Sequence, residues 1–413
     1  MVKPGYKQTE IGIIPEDWEC AMLLDKSKLL NGLTYTPDNV KDHGLFVLRS
    51  SNIQNNQLSF EDTLYVDCIV DDEKKIKDGD ILICVRNGSA ALIGKSAQAH
   101  RDYNATFGAF MAVLRGEHND YIQQVLQQGI IQREISKNSG ATINQITNGD
   151  FKQIRIALPT SRDEEVAITT TLSHVDRLIS TIEKLIAKKK AIKQGAMQEL
   201  LTGKKRLPGF SGAWNEVRLE DICSKITDGS HESPPESDIG YYMPSVKDMT
   251  DLGFDYSECK RVSFKDFKKL EQNGCRPDIG DVLIAKDGSI LKYAFVQEND
   301  EKIVILSSIA IVKPYPSRVN SHFLAQHFRQ PDFVNRVITN YKSGTGVPRI
   351  VLKGFKEITL FIPESISEQA SIAKVLVDMD KEIFNLEMKL AKYRQVKQGM
   401  MQQLLTGKIR LVD

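Results

Sequence analysis

Apolar residues recur at alternating steps of four and three along two long stretches of the chain. This spacing is the heptad pattern of a coiled coil and predicts two long helices. Each stretch follows an S-x-x-E capping box, at Ser161–Glu164 and at Ser365–Glu368. A helix of roughly 40 residues is about 60 Å long, too long to bury its apolar seam within one domain, so we expect the two helices to pack on each other. The seam positions are Ile168, Leu172, Val175, Ile179, Ile182 and Ile186 in the first helix, and Ile372, Leu376, Met379, Ile383, Leu386, Leu390 and Tyr393 in the second.

The end of the first helix is repeated at the end of the second. Residues 193–207 read KQGAMQELLTGKKRL and residues 397–411 read KQGMMQQLLTGKIRL, so twelve of the fifteen are identical. The offset of 204 holds without a gap from position 139 to 207, and it falls to 196 further upstream, where Trp18 matches Trp214. A drifting offset indicates loop insertions, which surfaces tolerate. The chain is therefore a tandem repeat, and each half has a variable front and a constant helical back.

Both fronts have the pattern of mixed α/β (α+β) domains. Short β-branched runs such as LFVLRS, DILICV, AFMAVL, DVLIAK and IVILSSIAIV are bounded by Gly, Asp and Asn and predict strands. Two segments, 120–135 and 321–338, have helical spacing. The predicted divisions are 1–157 for the first front, 158–206 for the first helix, 207–361 for the second front and 362–413 for the second helix.

Composition narrows the class of protein only slightly. Hydrophobic residues make up 41% of the 413 residues and charged residues 26%, with a net charge of +1, so nucleic-acid binding would have to depend on local patches. No apolar run is long enough to span a membrane. The first residues, MVKPGYKQTEIG, lack the apolar region of a signal peptide, and the six cysteines form no C-x-x-C pair. We expect a cytoplasmic protein without zinc or disulfides.

Motifs for catalysis are weak throughout. NGSAALIGKS (87–96) resembles a phosphate-binding loop, but Ser89 occupies the place where the first glycine is needed. Pro277-Asp278 with Asp300-Glu301-Lys302 fits a nuclease spacing that the first repeat lacks, and no base-methylating motif occurs. His322 and His327, on a predicted helix, are interpreted as surface or core residues. The pattern favours a binding protein; a coiled-coil adaptor that binds only proteins and a stand-alone nuclease or methyltransferase are the alternatives.

Several segments together resemble the specificity (S) subunit of type I restriction–modification enzymes over essentially the whole chain. They are the two front starts, YKQTEIGIIPEDWE and GFSGAWNEVRLEDI, the segment LRSSNIQNN (48–56), the paired GD-hydrophobic-GS segments and the doubled LLTGK helix ends. The resemblance implies two target-recognition domains on double-stranded DNA, separated by two helices in an antiparallel coiled coil. It also implies two methylation (M) subunits that carry S-adenosylmethionine and two ATP-driven motor/restriction (R) subunits. We expect no cofactor in this chain; S-adenosylmethionine, ATP and Mg²⁺ would be on the partner subunits.

Polar loop residues at corresponding places in the two fronts are the candidates for DNA contact, because amide, guanidinium, ammonium and carboxylate groups pair with base edges and phosphates. Since the fronts differ in sequence, we expect the two half-sites to differ. The candidates in the first front are Arg49, Ser51, Asn52, Gln54, Asn55, Arg86, Asn87, Ser89, Thr142, Asn144 and Gln145. Those in the second are Ser245, Lys247, Asp248, Lys286, Asp287, Ser289, Thr345 and Arg349.

The repeated helix ends are the candidates for partner docking. A glycine inside a helix costs ~1 kcal/mol relative to alanine, so its presence in both copies indicates close approach by another chain. The lysines at 188, 189, 190 and 193 have two interpretations, phosphate contact or a solvated helix face. The docking candidates are Lys193, Gln194, Gly195, Leu200 and Leu201, with Lys397, Gln398, Gly399, Leu404 and Leu405.

Overall fold

The computed structural model describes residues 2–128, 145–344 and 348–411. The chain divides into two compact units, each built from a front and parts of both long helices. Unit 1 comprises residues 1–183 and 389–413, and unit 2 comprises residues 184–388. Each front packs against the beginning of one helix and the end of the other, so each unit combines segments that are far apart in sequence.

Unit 1 contains fourteen of the described strands. Its short helices are α1 (Leu23–Lys26), α2 (Asn119–Leu126) and α3 (Asn148–Phe151), and the long helix α4 (Arg162–Leu200) begins here. The strands are β1 (Tyr6–Thr9), β2 (Gly12–Pro15), β3 (Glu19–Met22), β4 (Lys28–Asn31), β5 (Val40–Lys41), β6 (Leu45–Leu48), β7 (Ile53–Gln54), β8 (Gln57–Leu58), β9 (Tyr65–Val66), β10 (Ile81–Cys84), β11 (Ser96–Gln98), β12 (Ala105–Phe107), β13 (Met111–Arg115) and β14 (Arg155–Leu158).

Unit 2 contains the other twelve described strands. Its helices are α5 (Phe264–Gln272), α6 (Ser321–His327), α7 (Pro331–Tyr341) and α8 (Leu352–Glu357), and the long helix α9 (Ile366–Leu404) begins here. The strands are β15 (Trp214–Arg218), β16 (Cys223–Asp228), β17 (Tyr241–Tyr242), β18 (Met249–Thr250), β19 (Gly253–Phe254), β20 (Arg261–Val262), β21 (Val282–Ala285), β22 (Ala294–Val296), β23 (Ile309–Pro314), β24 (Lys342–Ser343), β25 (Arg349–Ile350) and β26 (Thr359–Pro363).

The same antiparallel sheet forms the centre of both fronts. Its strand order is β11-β10-β13-β4 in unit 1 and β22-β21-β23-β16 in unit 2. The register also corresponds, since Ile83 pairs with Ala112 and Ile284 pairs with Ala310. The peripheries differ: unit 1 adds a second four-stranded sheet, β12-β6-β9-β5, whereas unit 2 has the two-stranded β17-β20 and helix α5. The duplication therefore maintains the central sheet and varies what surrounds it.

Each central sheet shares a hydrophobic core with both long helices. In unit 1 the core includes Ile168 and Leu172 from the start of α4, together with Leu404 at the end of α9 and Leu405 directly after it. In unit 2 the corresponding positions are Ile372 and Leu376 from the start of α9, with Leu200 at the end of α4 and Leu201 directly after it. Each front is thereby fixed to two helix ends that are far apart in sequence.

Within each unit the two helices run antiparallel, which confirms the predicted coiled coil. In unit 1 Asp176 and Glu183 of α4 pair with Lys397 and Arg394 of α9, at 2.6 Å in both cases, so the numbering rises on one helix as it falls on the other. In unit 2 Lys190 pairs with Glu387 and Lys193 with Asp380 in the same sense. All thirteen predicted seam residues are buried or half-buried.

Three local predictions need correction. The capping boxes are half formed: the Ser161 and Ser365 hydroxyls accept the Glu164 and Glu368 amides at 3.4 and 3.3 Å, but both carboxylates bind arginines instead of closing the box. The strand predicted in IVILSSIAIV begins only at Ile309. The helix predicted over 321–338 is two helices, because a proline at position 331 starts the second.

Among the described residues, no helix is long and apolar enough to cross a membrane.

Candidate nucleic-acid interface

Three predicted segments of unit 1 meet at one end of the central sheet. The Asn87 amide donates to the Ser50 hydroxyl at 3.0 Å, which joins the turn after β10 to the segment after β6. Arg86 forms an antiparallel bridge with Gln145, which brings in the third segment. The Ser89 amide donates to the Asn87 side chain at 3.0 Å, so this asparagine also shapes the turn. Residues far apart in sequence therefore form a single polar surface.

A hairpin beside this surface carries four amide side chains in succession. Strands β7 and β8 pair Gln54 with Gln57, and the two residues between them, Asn55 and Asn56, have positive φ angles of 50° and 58°. These angles are those of a two-residue type I′ turn, which asparagine tolerates. All four side chains are exposed. Asn56 and Gln57 were not predicted; an Asn-Asn pair between two short β runs is the sequence signal that could have indicated them.

Asn52 corrects the prediction for this segment. It is fully buried, and its side-chain oxygen accepts the Arg49 amide at 2.8 Å while its nitrogen donates to the Ser59 and Asp62 carbonyls. Because its hydrogen-bonding groups are used inside the fold, Asn52 shapes the loop that carries the hairpin. Arg49 is half-buried and its guanidinium pairs with the Asp62 carboxylate at 2.8 Å.

Phe110 is a feature of the surface that the sequence did not reveal. Its ring is 56% exposed and lies 5.2 Å from the Arg86 guanidinium, a distance at which cation–π attraction operates. Its carbonyl accepts the Val85 and Arg86 amides at 3.0 and 3.1 Å, which fixes both residues. Within the run AFMAVL this phenylalanine looks like one more strand residue, so its exposure is visible only in the structure. Below the same turn, burial raises the pKa of the Cys84 thiol.

The corresponding segments of unit 2 meet in the same way around Ser308. Its carbonyl accepts the Lys286 amide at 2.8 Å and its hydroxyl accepts the Val246 amide at 3.2 Å. The backbones of Asp287 and Arg349 form an antiparallel β-bridge, as those of Arg86 and Gln145 do in unit 1. Ser308 precedes β23 just as Phe110 precedes β13. The two units thus place the same three segments together and present different side chains there.

Two predicted residues of unit 2 are buried and leave the set of surface candidates. Asp248 is 6% exposed and accepts the Ser245 amide and hydroxyl at 2.8 and 2.9 Å, so it shapes the loop as Asn52 does. Lys286 is also 6% exposed and pairs with Asp228 and Asp287 at 3.3 and 3.2 Å. Burial of either charged side chain without partners would be costly, and these contacts offset that cost.

The remaining candidates that the structure describes lie at least partly on the surface. Thr142, Asn144 and Thr345 are outside the described residues. In unit 1 the exposed or half-buried candidates are Arg49, Ser51, Gln54, Asn55, Arg86, Asn87, Ser89 and Gln145, and in unit 2 they are Ser245, Lys247, Asp287, Ser289 and Arg349.

The repeated helix ends divide into buried and open positions. Leu200, Leu201, Leu404 and Leu405 lie in the unit cores, and Lys193 and Lys397 are both 8% exposed. These six side chains are used within the fold, which corrects their prediction as a docking surface. The four open positions are Gln194, Gly195, Gln398 and Gly399.

The lysine run contributes mainly to contacts between the helices. Lys189 pairs with Glu382 at 2.6 Å, and Lys190 pairs with Glu387 at 2.7 Å. Lys193 is buried, and Lys188 remains exposed. Of the two interpretations, phosphate contact is therefore open chiefly to Lys188.

Among the described residues no group of His, Cys, Asp or Glu side chains could hold a metal ion.

Comparison with known families bears on these duplicated surfaces. The family model described as "Type I restriction modification DNA specificity domain" matches the chain twice, at residues 15–194 and 212–393. The chain belongs to this family. It is a specificity subunit of a type I restriction–modification system, with two DNA-recognition domains. The two alternatives, a protein-only adaptor and a stand-alone nuclease, gain no support.

Individual relatives agree over most of the chain's length. The chain is 26% identical over 384 residues to the type I restriction enzyme EcoKI specificity subunit of Escherichia coli (strain K12). This match covers 88% of this chain and 82% of the relative. It is 24% identical over 294 residues to the MjaVIII specificity subunit of Methanocaldococcus jannaschii, and this match covers 67% of this chain and 67% of the relative. The fold is similar to a type I S subunit from M. genitalium, with a TM-score of 0.63, 15% identity and coverage of 98% and 99%. The family assignment and the fold therefore agree.

Proposed function

We propose that each recognition domain of this specificity subunit contacts one half of a split duplex target, and that the two halves have different sequences. The observation that carries the proposal is the repeated surface: the same three segments meet in both units, but their side chains differ. Unit 1 presents mainly amides with one guanidinium stacked on Phe110, whereas unit 2 presents Lys247, Asp287 and Arg349. Identical surfaces would favour a palindrome.

These side chains have the donor and acceptor patterns that base edges require. Asn and Gln pair with adenine, Arg and Lys with guanine, and Asp accepts from cytosine in the major groove. We infer that the exposed amides of Gln54 to Gln57 and the turn at Arg86 contact bases or phosphates, while Asn52 and Asp248 shape the loops. The net charge of +1 is consistent with weak binding by the chain alone and tighter binding in a complex.

We further propose that the helix pair sets the spacing of the two half-sites and binds two methylation subunits. A pair of repeated recognition domains suits half-sites centred about one helical turn, roughly 34 Å, apart. S-adenosylmethionine would be carried by the methylation subunits, and ATP and Mg²⁺ by the motor subunits that join them. The chain itself would be non-catalytic and would act in the cytoplasm, where the DNA lies.

Arginine removal tests the assignment of half-sites. We expect Arg86→Ala to relax sequence preference in one half of the target, and Arg349→Ala to relax it in the other. Loss of a bidentate contact weakens discrimination by about 1–3 kcal/mol, or roughly 5-fold to 150-fold. The measurement is base-resolution mapping of methylated sites in DNA from cells that express each variant with its methylation subunits.

A control for that comparison is Arg155→Ala, which removes an arginine that pairs with Glu10 on another part of unit 1. Its methylated sequence should match that of the natural chain. If both Arg86→Ala and Arg349→Ala change the same half, or if neither changes any base, the assignment of one half-site to each domain is wrong.

Two glycine positions test the docking of methylation subunits. A Cβ at Gly195 or at Gly399 would meet no atom within 4 Å, and glycine is unfavourable in a helix, so glutamine there should not disturb the chain. We expect Gly195→Gln and Gly399→Gln each to remove one of the two bound methylation subunits, and the double variant to remove both. Mass photometry of the assembled complex measures the stoichiometry, with Lys188→Gln as the control. A double variant that still binds two subunits would contradict the proposal.

A further inference from the structure

A buried carboxylate of unit 2 connects three elements of the fold. Asp380 lies on α9 with its side chain 7% exposed. It accepts hydrogen bonds from both terminal nitrogens of Arg329, at 2.8 and 3.1 Å, and from the Gln326 amide at 2.8 Å. It also pairs with Lys193 of α4. Gln326 and Arg329 belong to the front, so a single carboxylate binds the front, its own helix and the opposite helix together.

Unit 1 repeats this arrangement in the related positions. Asp176, which is 204 residues before Asp380, pairs with Lys397 of α9 at 2.6 Å and accepts the Gln124 amide at 3.1 Å. Lys397 also donates to the side-chain oxygen of Gln127. Gln124 and Gln127 lie on or beside α2 of the front, 202 residues before Gln326 and Arg329. The recurrence in two fronts that otherwise differ indicates a constraint that both share.

The chemistry of these carboxylates suits fixation of the front on the helix pair. A shift of the front would break the hydrogen bonds that the front makes to each carboxylate and leave the carboxylate dependent on the lysine of the opposite helix. Loss of such partners is costly for a buried charge. Burial and the nearby charge of Arg329 lower the pKa of Lys193, which shows how closely the charges are packed. Apolar contacts alone would permit small sliding movements, whereas a hydrogen-bonded charge favours one geometry.

We propose that Asp380 and Asp176 are positioning residues that hold each recognition domain in one setting on the helix pair, and that they thereby restrict the enzyme to targets with one spacer length. The inference rests on the proposed function, in which the helices set the half-site spacing. Neither residue contacts DNA in this account. Each acts through the front that it fixes.

The two joints differ in strength. The Asp176 side chain is 33% exposed and Gln127 occupies the place of Arg329, so unit 1 lacks the bidentate contact. Asp380 should therefore contribute more to spacer selectivity than Asp176. Arg329→Lys, which retains the charge but removes the bidentate geometry, should weaken selectivity to an intermediate degree.

The test measures methylation by the assembled S and M subunits on duplexes that carry the two mapped half-sequences at the natural spacing and at spacings one or two base pairs shorter or longer. For the natural chain we expect strong preference for one spacing. For Asp380→Asn we expect that preference to fall by about tenfold or more, as expected when one partner of a buried charged pair is removed. Both half-sequences should stay unchanged. Asp176→Asn should have a smaller effect in the same direction.

Asp378→Asn is the matched control, because this aspartate lies on the same helix, is 59% exposed and pairs with Lys374, four residues earlier on that helix, at 3.0 Å. Its spacer preference should equal that of the natural chain. If Asp380→Asn does not assemble, Arg329→Lys decides the matter. Unchanged spacer ratios in the variant that assembles would overturn the inference while leaving the proposed function intact. A natural chain without any spacer preference would instead refute the proposed function, and the inference with it.

Discussion

A seven-residue insertion in the middle of both long helices is expected to lengthen the unread spacer by about three base pairs and to leave both half-sequences unchanged. Seven residues preserve the heptad seam and add about 10.5 Å of helix, at 1.5 Å per residue. The insertion points are between Lys184 and Leu185 and between Met388 and Lys389, which are 204 residues apart. They lie within one residue of the places where the two units divide the helices. Base-resolution mapping of methylated sites measures the new spacing.

An insertion in one helix alone provides the control. Because the opposite helix then has no matching length, the seam is interrupted and assembly or activity should be lost rather than the spacing altered. A double insertion that retains the natural spacer, or that changes the bases in either half, would contradict the role of the helices in setting the distance.

Arg410→Met should destabilise unit 1 by about 2 kcal/mol or more. The Arg410 guanidinium binds Asp17 at 2.7 and 2.9 Å and the fully buried Glu164 at 2.8 Å, and it lies 5.8 Å from the Trp18 ring. The hydrogen bonds to Glu164 and Asp17 raise the pKa of Arg410, and the bond from Arg410 lowers the pKa of Asp17. Loss of one partner of a buried pair costs about 3–5 kcal/mol, and the 27% exposure of Arg410 lets water offset part of it.

The two tryptophans make this result measurable unit by unit. Trp18 donates to Glu164 at 3.0 Å, while Trp214 lies 5.7 Å from Arg206, which binds Glu368 in the corresponding place. In a Trp214→Phe background, Trp18 fluorescence reports the unfolding of unit 1 in denaturant, and Arg410→Met should lower its midpoint. Lys408→Met, at an exposed position two residues earlier, is the control and should leave the midpoint unchanged. An unchanged midpoint in Arg410→Met would show that this pair contributes little.

The long helices and the repeat could be predicted because they depend on local pattern. The seam residues, the prolines that close the preceding strands and the glycines at Gly203 and Gly407, which have φ angles of 72° and 65°, all act within a few residues of their position. The partners of Glu164 and Glu368 could not be predicted in the same way. A capping box is the local use of such a glutamate, and the competing arginines are far away in sequence.

The candidate surface was predicted in outline rather than in detail. Polar residues after buried strands indicated three segments in each front that the structure places together, because strand ends bring loops together. Polarity alone does not distinguish a loop residue that faces outward from one that holds the loop, which is why Asn52, Asp248 and Lys286 were included. Phe110 was missed for the opposite reason, since an apolar residue in a strand pattern is expected to be buried.

The measurement that bears most directly on the account is a base-resolution methylation map of DNA modified by the natural chain with its methylation subunits. Two different fronts that share one helix pair predict two unlike half-sequences at a single fixed separation. A palindromic sequence, one uninterrupted block of recognised bases, or two halves at freely varying distances would contradict it.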